Sequence, residues 1–302
     1  MPTHPRYALI TAARNEEAFI ELTVKSVVAQ TVKPVKWVIV SDGSTDRTDE
    51  IVKSYLPCNP WIELLQMPQR GERHFAGKVR AFEAGYARLK DQHYEVIGSL
   101  DGDISFDEEY FSFLLQKLSS DPSLGLVGTP FTEGQRSYDY RFTSIEHVSG
   151  ACQLFRRECF EQIGGYLPIR GGGIDLVAVL SARMKGWKTR TFTEKVSSHH
   201  RNIGTAETSM LSAWFKYGVK DYVLGCHPLW EIFRTCYQMT RKPYAIGGLL
   251  LGFGYTWSLF RGTERTIPKE IMAFRRQEQM QRLRKFLLGG SLFARSELKA
   301  SS

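Results

Sequence analysis

Cysteine is scarce in this 302-residue sequence. The five cysteines, Cys58, Cys152, Cys159, Cys226 and Cys236, are odd in number and scattered. None shows CxxC or zinc-finger spacing, which excludes a disulfide framework and a structural zinc site. Reduced thiols fit a cytoplasmic compartment. No GxGxxG follows the first predicted strand, which argues against a nicotinamide enzyme. Internal repeats and low-complexity tracts are absent, and so are helix-turn-helix, zinc-finger and RNA-recognition signatures, so nucleic acid is not an expected partner. Residues 1–6 lack the long apolar stretch of a secretory leader.

Long apolar runs are also few. The charge-free run 243–260 is glycine-rich and falls short of the roughly 20 residues of a full bilayer span. It reads either as a buried helical hairpin of a soluble protein or as a short re-entrant or interfacial segment. Arg241, Lys242 and Arg261 flank it. Residues 267–288 follow with Lys269, Arg275, Arg276, Arg282, Arg284 and Lys285, and with Met280, Leu283 and Leu287 on one side. That pattern is a basic amphipathic helix, solvated or resting on anionic lipid.

What is present is the composition of a folded protein, 42% apolar, 12% aromatic and 24% charged. The net charge of +8 lies mostly in the second half. Without a nucleic-acid signature, that excess points to phosphates on small substrates or to a membrane surface. Buried strands are predicted at 7–12, 37–40, 62–65 and 96–100, with helices at 16–30, 46–55, 78–89 and 108–118. Asn15 is positioned to cap the first helix. Such strand-helix alternation implies a mostly parallel α/β sheet, with ligands beyond the carboxyl ends of its strands. From residue 125 the pattern is mixed: strands at 125–129, 151–155 and 188–193, helices at 157–163 and 175–185.

Asp101-Gly102-Asp103 closes the fourth strand. Two carboxylates one residue apart, at the end of a buried strand, are costly to hold unless a cation neutralises them. A hard divalent ion carrying a diphosphate does so; a solvated acidic turn is the plainer alternative.

Read with its neighbours, this triplet is one of an ordered set. The others are Thr11-Ala12-Ala13-Arg14-Asn15-Glu16-Glu17, Ser41-Asp42-Gly43-Ser44-Thr45-Asp46, Gly77-Lys78-Val79-Arg80-Ala81, Gly150-Ala151-Cys152-Gln153-Leu154-Phe155-Arg156-Arg157 and Gly164-Gly165-Tyr166. Over roughly residues 5–200 the set resembles glycosyltransferase family 2. The resemblance implies a single A-type nucleotide-sugar transferase domain with a mostly parallel Rossmann-like sheet. That domain would occupy 1–204, with a donor half to about 105 and an acceptor half from 106. A helical, basic, membrane-leaning extension would occupy 205–302.

The resemblance also assigns roles. Ala12, Arg14, Asn15, Glu16, Asp42, Lys78, Arg80, Asp101 and Arg201 fall at the donor. Asp42 would accept from a nucleobase N–H and from ribose hydroxyls. The family often has two acids there, but this chain has Ser41 in the first position, which leaves UDP- and GDP-sugars both open. Asp103 would be the principal Mn2+ or Mg2+ ligand and Asp101 its support. One histidine of the pair His199-His200 would complete the metal site; the expected ligand is His200, with His199 the alternative. Gly172, Gly173 and Ile174 would meet the acceptor. Asp175, at the start of a helix after three glycines, would be the catalytic base; a plain helix cap is the other reading of such an Asp.

The function implied is inverting, metal-dependent sugar transfer to a glycan or lipid-linked saccharide in envelope or exopolysaccharide synthesis. The implied location is cytoplasmic, peripheral at the inner face of the cytoplasmic membrane. Two rivals remain: a polyprenyl-phosphate sugar synthase, and a non-catalytic protein that binds nucleotide sugars or nucleic acid.

Overall fold

The computed structural model describes residues 4–69, 75–133, 144–169, 171–201 and 210–288. The chain divides into two compact units. The first is Met1–Tyr138, Ile145–Arg170 and Ile174–Arg201; the second is Asp139–Ser144, Gly171–Gly173 and Asn202–Ser302. The boundary expected at 204 lies outside the described residues, as do Met1 to Thr3.

The first unit is built on a sheet of seven strands: β1 (Tyr7–Ala13), β2 (Lys36–Asp42), β3 (Ile62–Met67), β4 (Val96–Leu100), β6 (Leu124–Gly128), β8 (Cys152–Arg156) and β9 (Lys188–Thr191). Their order is β3-β2-β1-β4-β8-β6-β9. Only β8 runs antiparallel to its neighbours, so the sheet is mostly parallel, as the strand-helix alternation predicts. Central parallel strands bury both faces and read as continuous apolar runs. In β1 all residues but Ala12 are buried.

The helices of this unit are α1 (Ile20–Val28), α2 (Thr48–Tyr55), α3 (Phe75–Ala87), α4 (Tyr110–Ser120), α5 (Arg157–Gln162) and α6 (Ile174–Met184). Helix α1 starts four residues later than the sequence pattern suggests. Asn15 has a left-handed backbone (φ 54°) and residues 17–19 form a turn, so the chain first reverses over the end of β1. A second sheet joins β5 (Ile104–Ser105), β10 (Ser197–His199) and β7 (Phe131–Thr132). Strands of two or three residues leave almost no periodicity, and the sequence does not announce them.

One feature of the connections positions the site. The chain runs from β1 outward to β2 and β3, then returns to place β4 on the other side of β1. That reversal is a topological switch point, where the loops after two neighbouring strands diverge and leave a crevice.

The second unit contains α7 (Met210–Val223), α8 (Pro228–Met239), α9 (Ile246–Phe260) and α10 (Lys269–Leu287). Its buried centre is Tyr222, Cys226, Trp230 and Tyr255, with Val223, Phe233, Met280 and Leu283 packed on it. The run 243–260 holds a single helix, α9, after a short turn, and not a hairpin. Helix α10 turns Met280 and Leu283 inward. Its Arg275 and Arg276 donate to the carbonyls of Leu224 and Gly225 just beyond α7, as cations at a helix C-terminus do. No helix among the described residues is long and apolar enough to cross a membrane.

Candidate active site

At the switch point the first unit holds a cavity of about 330 Å³. Its wall includes Ala12, Arg14 and Glu16 after β1, Asp42 at the end of β2, Lys78 on α3, Asp101 and Asp103 after β4, and Arg201 after β10. Sequence reasoning picked all of these as donor or metal residues. They come from five segments far apart in the chain and meet because the parallel strands end on one edge.

Local packing sets the acids. Asp42 is 8% exposed, and its Oδ1 has no hydrogen-bond partner among the described residues. A buried carboxylate oxygen left without a donor is costly, and a ligand with N–H or O–H groups would relieve it. Gly77 stands over the same carboxylate: a Cβ there would lie 3.0 Å from Asp42 Oδ2. The glycine of the Gly-Lys pair thus makes room for the acid. Gly150 plays the same part for Asp175, whose Cβ would be 3.0 Å from a Cβ on Gly150.

Lys78 pairs with Asp101. Burial works against the lysine charge, but Asp101, Asp175 and Asp103 outweigh it and hold the Lys78 pKa above its ordinary value. Burial pushes the Asp101 carboxyl up; Lys78 opposes this and the Asp103 charge adds to it. Arg201 pairs with Glu16 and brings its Nε to 3.5 Å from Asp103 Oδ2. The cavity therefore gathers acids with three cations, Arg14, Lys78 and Arg201, and of these Lys78 pairs with Asp101 and Arg201 with Glu16.

The remaining candidates lie off the cavity wall. Asn15 stitches the loop after β2: its backbone N–H donates to Ser44 Oγ, and its Oδ1 accepts from the Thr45 N–H at 2.8 Å. Arg80 is exposed on α3. Asp175 sits half-buried in the first turn of α6, near enough to Lys78 to raise its pKa. Ile174 is buried beside it. Gly172 and Gly173 belong to the second unit, where Gly173 packs against Leu224.

The two histidines separate cleanly. His200 points its Nε2 to Ser105 Oγ at 2.8 Å and stacks on Phe19. His199, the last residue of β10, brings Nε2 to 3.6 Å from Asp103 Oδ2 and Nδ1 to 3.6 Å from Glu133 Oε1. His200 is the first residue beyond the strand, where its backbone N–H donates to the Asp103 carbonyl. Glu133 went unnoticed in the sequence, where nothing marks it.

Comparisons with known proteins bear on the family and the fold. Residues 8–147 match the family model described as Glycosyl transferase family 2. Poly-beta-1,6-N-acetyl-D-glucosamine synthase of Staphylococcus aureus (strain COL) is 28% identical over 241 residues, covering 80% of this chain and 51% of that protein. The protein of the same name from Staphylococcus epidermidis is 25% identical over 177 residues, covering 52% and 41%. The chain thus spans about half the length of the first of these curated relatives. Among solved structures, the mannosyltransferase PcManGT from Pyrobaculum calidifontis, in complex with GDP-Man and Mn2+, superposes with a TM-score of 0.62 at 16% identity, over 87% of this chain and 89% of that one. GalNAc-T7 with UDP, GalNAc and Mn2+ gives 0.58 at 12% identity, over 96% and 59%. At these identities the two structures establish a shared fold.

Proposed function

We propose that this chain, which carries a glycosyl transferase family 2 domain across residues 8–147, transfers a sugar from a UDP- or GDP-linked donor to a glycan or lipid-linked saccharide with inversion. The observation that carries the reading is the single cavity that gathers Asp42, Lys78, Asp101, Asp103 and Arg201.

Each side chain has work suited to its chemistry. Asp42, with an oxygen lacking a donor, accepts from the nucleobase and ribose of the donor. Asp103, Asp101 and the His199 imidazole are oxygen and nitrogen donors that suit Mn2+ or Mg2+. The ion, when bound, supplies Lewis-acid stabilisation of the departing diphosphate. His199 is preferred to His200 here because its ring faces Asp103. Glu133 lies 3.6 Å from its other ring nitrogen, and a proton on Nδ1 facing that carboxylate would leave Nε2 free for the ion. Lys78 and Arg201 supply positive charge for the diphosphate oxygens. Asp175 takes the proton of the acceptor hydroxyl as that oxygen attacks the anomeric carbon. Only one acid stands at the start of α6, as a single displacement requires.

The division into a donor half up to about residue 105 and an acceptor half up to about 204 belongs to this reading. So does a peripheral position at the inner face of the cytoplasmic membrane. Thermal-shift screening of UDP- and GDP-sugars with and without Mn2+ tests the reading. One nucleotide sugar is expected to raise Tm only with the metal. Should none do so while the chain binds DNA or RNA with steep salt dependence, the proposal is wrong.

A further inference from the structure

Helix α9 inverts the usual arrangement of a helix in water. Its buried side is small: Gly247, Gly248, Gly254 and Ser258, with Leu251 and Tyr255. A Cβ on Gly254 would stand 2.1 Å from the Phe215 carbonyl oxygen, and one on Gly218 of α7 would stand 1.9 Å from that of Leu251. The two helices therefore meet backbone to backbone, as helices do where small residues line their contact.

The bulky side chains face outward instead. Ile246 is 51% exposed, Leu249 58%, Phe253 54%, Trp257 40% and Phe260 85%. At 3.6 residues per turn they fall within about a quarter of the helix circumference. No charge interrupts that stripe. Its ends are basic: Arg241 and Lys242 precede it, and Arg261 follows with its guanidinium 4.5 Å from the Trp257 ring centroid. A contiguous exposed apolar patch with polar ends marks a surface that something covers.

Charge selects the occupant. Residues 210–288 hold thirteen Lys and Arg against five Asp and Glu. A second copy of this face would set like charge against like, whereas anionic lipid headgroups attract it. Length sets the pose. Fifteen helical residues extend about 22 Å, short of the roughly 30 Å hydrocarbon core, so the helix cannot cross.

We propose that α9 is an in-plane membrane anchor. Ile246, Leu249, Phe253, Trp257 and Phe260 enter the boundary between headgroups and acyl chains, and Arg241, Lys242 and Arg261 meet lipid phosphates. Helix α10, whose basic pattern first suggested lipid contact, instead sends its apolar side into the core of its own unit. The inference rests on the membrane-face part of the proposed function. Vesicle binding is read without donor or acceptor, so it stands or fails apart from transfer activity.

The test floats the full chain with vesicles of phosphatidylglycerol and phosphatidylcholine, and with phosphatidylcholine alone. The chain is expected to partition onto the anionic vesicles with a blue shift of tryptophan emission. Leu249→Glu with Phe253→Glu is expected to lower that partition about tenfold or more at unchanged Tm. If the double glutamate variant loses helix content by circular dichroism, Leu249→Ser with Phe253→Ser repeats the measurement. Absence of wild-type binding, or equal binding by the folded variants, overturns the proposal. A concentration-dependent dimer that the same substitutions dissolve also overturns it, because the stripe would then belong to a second copy.

Discussion

Each unit buries acids beside cations, and the two clusters behave as opposites. In the sheet unit, Asp42, Asp101 and Asp103 line a cavity with Lys78 and Arg201, and one Asp42 oxygen has no hydrogen-bond partner among the described residues. In the helical unit, Asp221 is closed in by Arg234 and Arg275. Asp221, Cys226 and Glu231 even bring ligand atoms within 4.8 Å of one another, the spacing of a metal site. A metal needs deprotonated ligands. Burial pushes the Cys226 thiol up to about 12 and the Glu231 carboxyl up to about 7, and Asp221 already has two arginines. The lesson is that acidic proximity does not make a site. Among the described residues Glu231 Oε1 is as unpartnered as Asp42 Oδ1, so what separates the clusters is the cavity beside Asp42 and the proton that burial retains on Glu231.

The contrast can be broken experimentally, and the largest effect belongs to the open cluster. Asp103→Ala is expected to lower metal-dependent transfer about a thousandfold or more while Tm moves little. Retained metal-dependent donor binding in that variant would remove Asp103 from the metal. Asp175→Asn should also cost about a thousandfold in turnover, yet keep donor binding by thermal shift. Near-normal turnover would leave Asp175 as no more than an acid in the first turn of α6.

The closed cluster should respond in stability instead. Arg234→Met leaves Asp221 buried with one arginine and is expected to cost about 3 to 4 kcal/mol in urea unfolding. The same variant should bind donor normally if the two clusters are independent. Glu231 makes stability depend on pH. Its folded-state pKa is raised from 4.5 to about 7, chiefly by burial, with the Cys226 hydrogen bond and Arg275 opposing. Below the unfolded value both states are protonated and its favourable effect is complete. As pH rises toward 7, the unfolded chain gives up the proton first, and stability falls by about 3 kcal/mol. Glu231→Gln is expected to flatten that slope, and an unchanged slope would assign it to another group. The smallest effect is Gly77→Ala, which crowds Asp42 and should lower transfer about tenfold at near-constant stability. If it lowers Tm instead, Gly77 serves packing alone.

Much of the open cluster was legible in the sequence because its residues sit at strand ends. Tyr7 to Ala12 and Val96 to Leu100 are apolar runs that name their own strands, and the polar residues directly after them fall on the ligand edge of a parallel sheet. Asp42 and Asp101 were found this way. The closed cluster was not legible. Asp221, Glu231, Arg234 and Arg275 lie on helices α7, α8 and α10, and ordinary solvated helices carry the same residues at the same spacing. The histidine pair shows a finer limit. His199 ends an unremarked three-residue strand and His200 is the residue after it, and only the folded chain shows that the His199 ring faces Asp103.

The sequence by itself determined the mostly parallel sheet, the acids at its carboxyl edge and the absence of a span-length apolar run. These follow from local patterning, which acts over a few residues. Only the tertiary structure decided that His199 and not His200 faces the acid, that Gly77 and Gly150 yield their space to carboxylates, and that α9 shows its large side chains to the outside. Each of these depends on what another segment, distant in the chain, presses against that position, and no local pattern carries that information.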